Sequence, residues 1–114
     1  MKIGIIQQSC TSDIAKNKEK LKTNIAEATE KGAQLVVLQE LHNSLYFCQT
    51  ENVEMCNLAE PIPGPSTEFY SAIAKQHGIV LVTSLFERRT AGLYHNTADL
   101  PLTAAVCFCG CAPI

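Results

Sequence analysis

Apolar residues along this chain change their spacing from one stretch to the next, and each change marks a structural element. Ile3, Ile5 and Ile6 give the run from Lys2 to Gln8 the look of a short first strand. From about Asp13 to Lys31 the apolar positions Ile14, Leu21, Ile25 and Ala28 form one helical stripe. Lys16, Lys20, Glu27 and Glu30 are left to face water. Ser12 or Asp13 can cap this helix, and Gly32 suits its stop. Ala33 to Glu40 then reads Ala-Gln-Leu-Val-Val-Leu-Gln-Glu, a bounded apolar run of the kind expected of a strand covered on both faces.

The second half repeats the alternation. Pro61-Ile62-Pro63-Gly64-Pro65-Ser66 is too rich in proline to be regular and reads as a connector. A second helix is expected from a Ser66 cap through about His77, with Phe69, Tyr70, Ile73 and Ala74 turned inward and Gly78 ending it. Ile79 to Leu85 is another apolar run, followed by a turn at Arg88 to Gly92 and a fourth strand from Leu93 to Ala98. The order β-α-β-α-β-β predicts an α/β fold in which helices stack on a sheet. Its first three strands are parallel, and the last pair is an antiparallel hairpin.

Composition narrows the class. The 114 residues allow one domain, and a net charge of −2 offers no basic footprint for nucleic acid. No apolar stretch reaches the ~20 residues of a membrane span, and Met1 to Ile6 has no signal-peptide pattern. The expectation is a soluble, cytoplasmic chain without nucleic-acid or membrane partners. The six cysteines are scattered or crowded rather than framed, so reduced thiols are expected. Every charged residue lies at or before Asp99, and Leu100 to Ile114 holds three cysteines and no charge. Residues 1–98 read as the folded unit, and residues 99–114 as an aberrant Cys-rich tail, foreign to the fold and prone to aggregate.

Glu40 is the outstanding candidate for chemistry. It ends the second strand on the carboxyl side, where open α/β sheets collect their sites, and a desolvated carboxylate there can act as a general base. Cys48 has no motif partner to activate it and reads as a structural thiol. His42, His77 and His95 lack metal-ligand spacing, as do Cys107, Cys109 and Cys111, so no metal is expected.

The segment Leu38-Gln39-Glu40-Leu41-His42-Asn43-Ser44-Leu45-Tyr46-Phe47-Cys48-Gln49 resembles the nitrilase, or carbon–nitrogen hydrolase, superfamily, and more narrowly its N-carbamoylputrescine amidohydrolases. Leu58 to Thr67, Leu81 to Arg89 and Tyr94 to Ala98 carry the same likeness in the same order. The resemblance implies the N-terminal part of an α-β-β-α sandwich, incomplete here, and a Glu, Lys and Cys catalytic set without metal or organic cofactor. Cys would attack a carbamoyl-amine substrate, Glu would move protons and Lys would steady the oxyanion. On that likeness Glu40 is the general base and Tyr46 lines the substrate pocket. The last lysine is Lys75, so neither Lys nor nucleophile carries over, and the chain is expected to be inactive alone. The other reading is a non-catalytic chain that self-associates or docks on a full-length homologue through sheet surface left uncovered.

Overall fold

A computed structural model describes residues 1–46, 53–100 and 110–113. Strand β1 (Ile3–Ile6) leads to helix α1 (Ile14–Glu30), strand β2 (Leu35–Leu38), a 3-10 turn (Val53–Leu58), helix α2 (Pro65–His77) and strands β3 (Val80–Thr90) and β4 (Leu93–Asp99). A short strand β5 (Gly110–Pro113) follows. The sheet order is β1-β2-β3-β4-β5. β1, β2 and β3 pair in parallel through the two helical crossovers, while β3, β4 and β5 pair antiparallel. The expected α/β architecture is present.

Both helices lie on one face. Leu21 and Ile25 of α1 and Tyr70, Ile73 and Ala74 of α2 pack over Val36, Leu38, Leu81 and Leu85 in one buried cluster. Asp13 caps α1, its carboxylate accepting from the Lys16 amide. Asn17, a polar residue on the same helical stripe, is buried with Leu21 and Ile25. Its amide group binds Thr11 at both ends and donates to the Asn43 carbonyl, tying the β1–α1 loop to the loop after β2.

Three expectations need correction. The sheet is not covered on both faces: Val36 and Leu38 are buried under the helices, whereas Leu35 and Val37 are only half-buried and Ile3 and Ile5 stand 54% and 80% exposed. Two helices on one side leave the other side open among the described residues. Ser66 does not cap α2. The cap position is Gly64, Pro65 opens the first turn, and the Glu60 carboxylate accepts from the Ser66 amide instead. This carboxylate serves the cap electrostatically, since a helix N-terminus favours negative charge. Finally, β3 runs on through Arg88 to Thr90, and the chain reverses only at Ala91 and Gly92. Buried Glu87 explains the extension. It accepts from Thr97 on β4 at 2.6 Å and is paired by Arg89, while Phe86 and Tyr94 stack across the hairpin. Burial raises the Glu87 carboxyl pKa, but the Thr97 and Arg89 hydrogen bonds and neighbouring positive charge outweigh it and hold the group below its usual range.

The boundary expected near residue 98 falls within β4, whose Asp99 is fully buried. Beyond it, the backbone of Gly110–Pro113 lies along β4 with Ala98 opposite Gly110 and His95 opposite Pro113.

Candidate active site

The loop after β2 is shaped by buried polar contacts rather than by regular structure. Gln39 accepts from the Gln8 amide at 2.6 Å and donates to Cys10 Sγ, which in turn donates to the His42 carbonyl. Tyr70 of α2 donates to Asn43 Oδ1, and Asn43 donates to Ser66 Oγ at 2.8 Å. The residue after Glu40, Leu41, is buried in the left-handed region at φ 47°, a conformation that costs a side-chain-bearing residue about 1–3 kcal/mol. The surrounding bonds hold it there.

Glu40 stands at the carboxyl end of β2 as expected, but it is exposed rather than desolvated. The reason is the open face. Glu40 Oε1 accepts a short hydrogen bond from Asn96 Nδ2 on β4. Asn96 Oδ1 accepts from Ser84 Oγ on β3 at 3.0 Å, and Ser84 Oγ accepts from the Leu41 amide at 3.1 Å. Leu41 is bonded to Glu40, so these contacts close a ring across three strands. Ser84 and Asn96 alternate with buried Leu85 and Thr97, which places them on the face away from the helices.

Beside this ring is a recess of about 80 Å³ bordered by Leu41, Asn43, Ser44, Glu60, Ser84 and Phe86. Ligand pockets usually span hundreds of Å³, so the recess by itself is too small for a whole substrate. Tyr46, 50% exposed, ends the described part of this loop, and it is not among the residues bordering the recess. Cys48 and the tail cysteines Cys107 and Cys109 lie outside the described residues. Cys10 and Cys56 are free thiols, and no group of three metal-ligating side chains occurs among the described residues.

His42 sits two positions from Glu40 yet takes no part in the ring. It is fully buried, edge-on to Tyr70, with Nε2 unpartnered among the described residues. Burial drives its pKa down to about 4; the Asn43 hydrogen bond opposes this and the Lys18 charge adds to it. The ring stays neutral at physiological pH and packs edge-on against α2. Burial also raises the Tyr70 phenol above its ordinary value, with the charges of Glu60 and Cys10 adding to the effect. Because folded His42 titrates below the ~6.5 of an exposed imidazole, the unfolded chain takes the proton first. This contribution to stability is complete above about pH 6.5 and is lost as pH falls towards about 4, up to about 3 kcal/mol in all. Urea unfolding midpoints should fall accordingly over that window, and His42→Gln should flatten the slope.

Comparison with known proteins adds the decisive observation: the carbon–nitrogen hydrolase family profile matches residues 2–101. The chain belongs to the carbon–nitrogen hydrolase family. Among similar members of this family, the citrullinase of Francisella tularensis is 33% identical over 107 residues, covering 93% of this chain and 37% of the enzyme. The N-carbamoylputrescine amidase of Solanum lycopersicum is 32% identical over 97 residues, covering 84% and 32%. The crystal structure of a carbon–nitrogen hydrolase from Helicobacter pylori superposes with a TM-score of 0.81 at 38% identity, covering 86% of this chain and 34% of that one. The chain thus matches the N-terminal part of a nitrilase-type fold and spans about a third of the length of the curated relatives.

Ser84 and Asn96 are the residues that reading the sequence did not single out. Both lie within segments that carry the family likeness, and that was the available signal. Among the described residues, no helix is long and apolar enough to cross a membrane.

Proposed function

We propose that this chain supplies the general-base glutamate, Glu40, of an amidohydrolase acting on carbamoyl-amines, with N-carbamoylputrescine as the favoured substrate. The observation that carries the reading is Glu40 itself, at the end of β2 in a hydrolase-family segment and tied at one oxygen by Asn96. Citrulline and N-carbamoylputrescine, the substrates that the names of the two relatives imply, share a ureido group on an unbranched chain. Water splits that group into the free amine, carbon dioxide and ammonia. In this reading Glu40 takes the proton from a cysteine thiol, gives it to the departing amine and then draws one from water. The lysine and cysteine come from the part of the family domain that the 114 residues do not match, and Tyr46 is read as lining the substrate pocket. The 114 residues by themselves are therefore not expected to release ammonia.

A segment exchange tests this. Residues 1–98 would replace their counterpart in the Helicobacter pylori hydrolase. The hybrid is expected to keep hydrolysing the parent's substrates, with a lower KM for N-carbamoylputrescine than the parent. A folded but inert hybrid would sink the reading.

A second reading is favoured by the open sheet face, where Ile3, Ile5 and Val80 are exposed. In it the chain is a binding partner that self-associates or docks on a full-length homologue. Light scattering of the chain alone and mixed with a homologue is expected to show species heavier than a monomer. A monodisperse monomer in both samples counts against docking.

A further inference from the structure

The ring around Glu40 has a direction, set by which groups can only donate. The Leu41 amide is a donor and nothing else, so Ser84 Oγ accepts from it at 3.1 Å. The Ser84 hydroxyl hydrogen is then turned towards Asn96, whose carbonyl end receives it at 3.0 Å. With Oδ1 committed to Ser84, the Asn96 Nδ2 group faces Glu40 and donates to Oε1. A flipped Asn96 would set its carbonyl oxygen against the carboxylate and face Ser84 with a donor. The Leu41 amide, which only donates, and the Glu40 carboxylate, which only accepts, together leave one orientation of Asn96 that satisfies every contact of the ring.

From this geometry we propose that Asn96, oriented by Ser84, is the positioning group of Glu40, holding Oε1 and leaving Oε2 as the atom that handles protons. The inference rests on the general-base reading of Glu40 but concerns its orientation, and it is tested without turnover. An exposed glutamate ordinarily samples several rotamers, and fixing a side chain this long costs rotamer freedom. A charge-assisted hydrogen bond to an amide that cannot flip offsets much of that loss. Because Asn96 lies on β4 and its partner Ser84 on β3, the hairpin sets the orientation of a residue just past the end of β2. Precise placement is what a proton-transferring carboxylate needs, since displacement by about 1 Å can cost about a hundredfold in rate.

Nuclear magnetic resonance of the full 114-residue chain, isotope-labelled at Glu and Asn, reads the orientation directly. In the unmodified chain the two Glu40 γ protons are expected to resonate separately, with scalar coupling across the hydrogen bond from Asn96 Nδ2 to the Glu40 carboxylate carbon. In Ser84→Ala and Asn96→Ala the γ protons are expected to merge into one averaged signal, while Ser84→Thr, which keeps the hydroxyl, retains the separation. Unchanged methyl shifts of Leu21 and Leu81 show that the core is intact in each variant. Merged γ signals and no coupling in the unmodified chain would overturn the proposal, as would separated signals that survive in folded Ser84→Ala and Asn96→Ala. Should a variant unfold, the coupling in the unmodified chain decides alone. An inert segment-exchange hybrid would fail the hydrolase reading and leave these spectra unchanged, so the two failures are distinguishable.

Discussion

Glu40→Gln in the segment-exchange hydrolase is expected to lower kcat by about 10² to 10⁴-fold, the usual contribution of a positioned acid–base group, with little change in KM. Glutamine keeps the length of the side chain and the oxygen that accepts from Asn96, so the ring survives and only the proton chemistry is lost. Glu40 is exposed and outside the buried core, so thermal melting of the variant should match the parent hybrid. Steady-state ammonia release beside a melting curve separates the two effects. Loss of activity together with a lowered melting temperature would mean that Glu40 is structural. Retained activity would remove it from the chemistry altogether.

The largest expected effect on stability lies in the connector before α2. An alanine Cβ at Gly64 would sit 2.2 Å from the carbonyl oxygen of Pro61, and that neighbour is backbone, which cannot swing aside. The φ of −159° at Gly64 is ordinary extended backbone, so the penalty is steric. Gly64→Ala is expected to cost about 3 kcal/mol, the upper part of the usual range for overpacking. That is a sizeable share of the roughly 5–15 kcal/mol by which folded domains are stable. The clash would also pull Glu60 away from the Ser66 amide and uncap α2. Gly78→Ala provides the contrast: its Cβ meets nothing within 4 Å, but φ is +64°, so about 1–2 kcal/mol is expected from conformation alone. Urea unfolding of both variants would rank them, and equal losses would refute the steric account.

The first half of the fold was legible because its periodicities are unmixed and its ends are marked. Asp13 and Gly32 bracket α1, and the Leu35–Leu38 strand stops where charge begins. The α2 start was misread because Ser66 looks like a cap in sequence, whereas the carboxylate that serves the helix comes from Glu60 across the connector. The length of β3 was hidden for a similar reason. Arg88 and Arg89 look like the start of a solvated turn until Thr97 on the next strand is seen to hold buried Glu87 just before them. At the candidate site, Glu40 announced itself as the charge that ends an apolar run. Asn96, 56 positions away, did not, because a polar residue on a half-covered strand face reads as a solvent contact. Local pattern shows where a carboxylate emerges; which groups orient it is decided by strand register.

The one-sided sheet has a consequence for how stability should be measured. Ile3, Ile5 and Val80 remain in water on a face bounded by the outermost strand β1. Any molecule that covers them binds the folded chain and not the unfolded one. The melting temperature is then not a constant of the chain: it climbs with the concentration of whatever covers the face, by about 2.7 kcal/mol of added stability at a hundred times the dissociation constant. Lifetime in the cell would follow the supply of that covering molecule, as it does for subunits degraded when left without their complement.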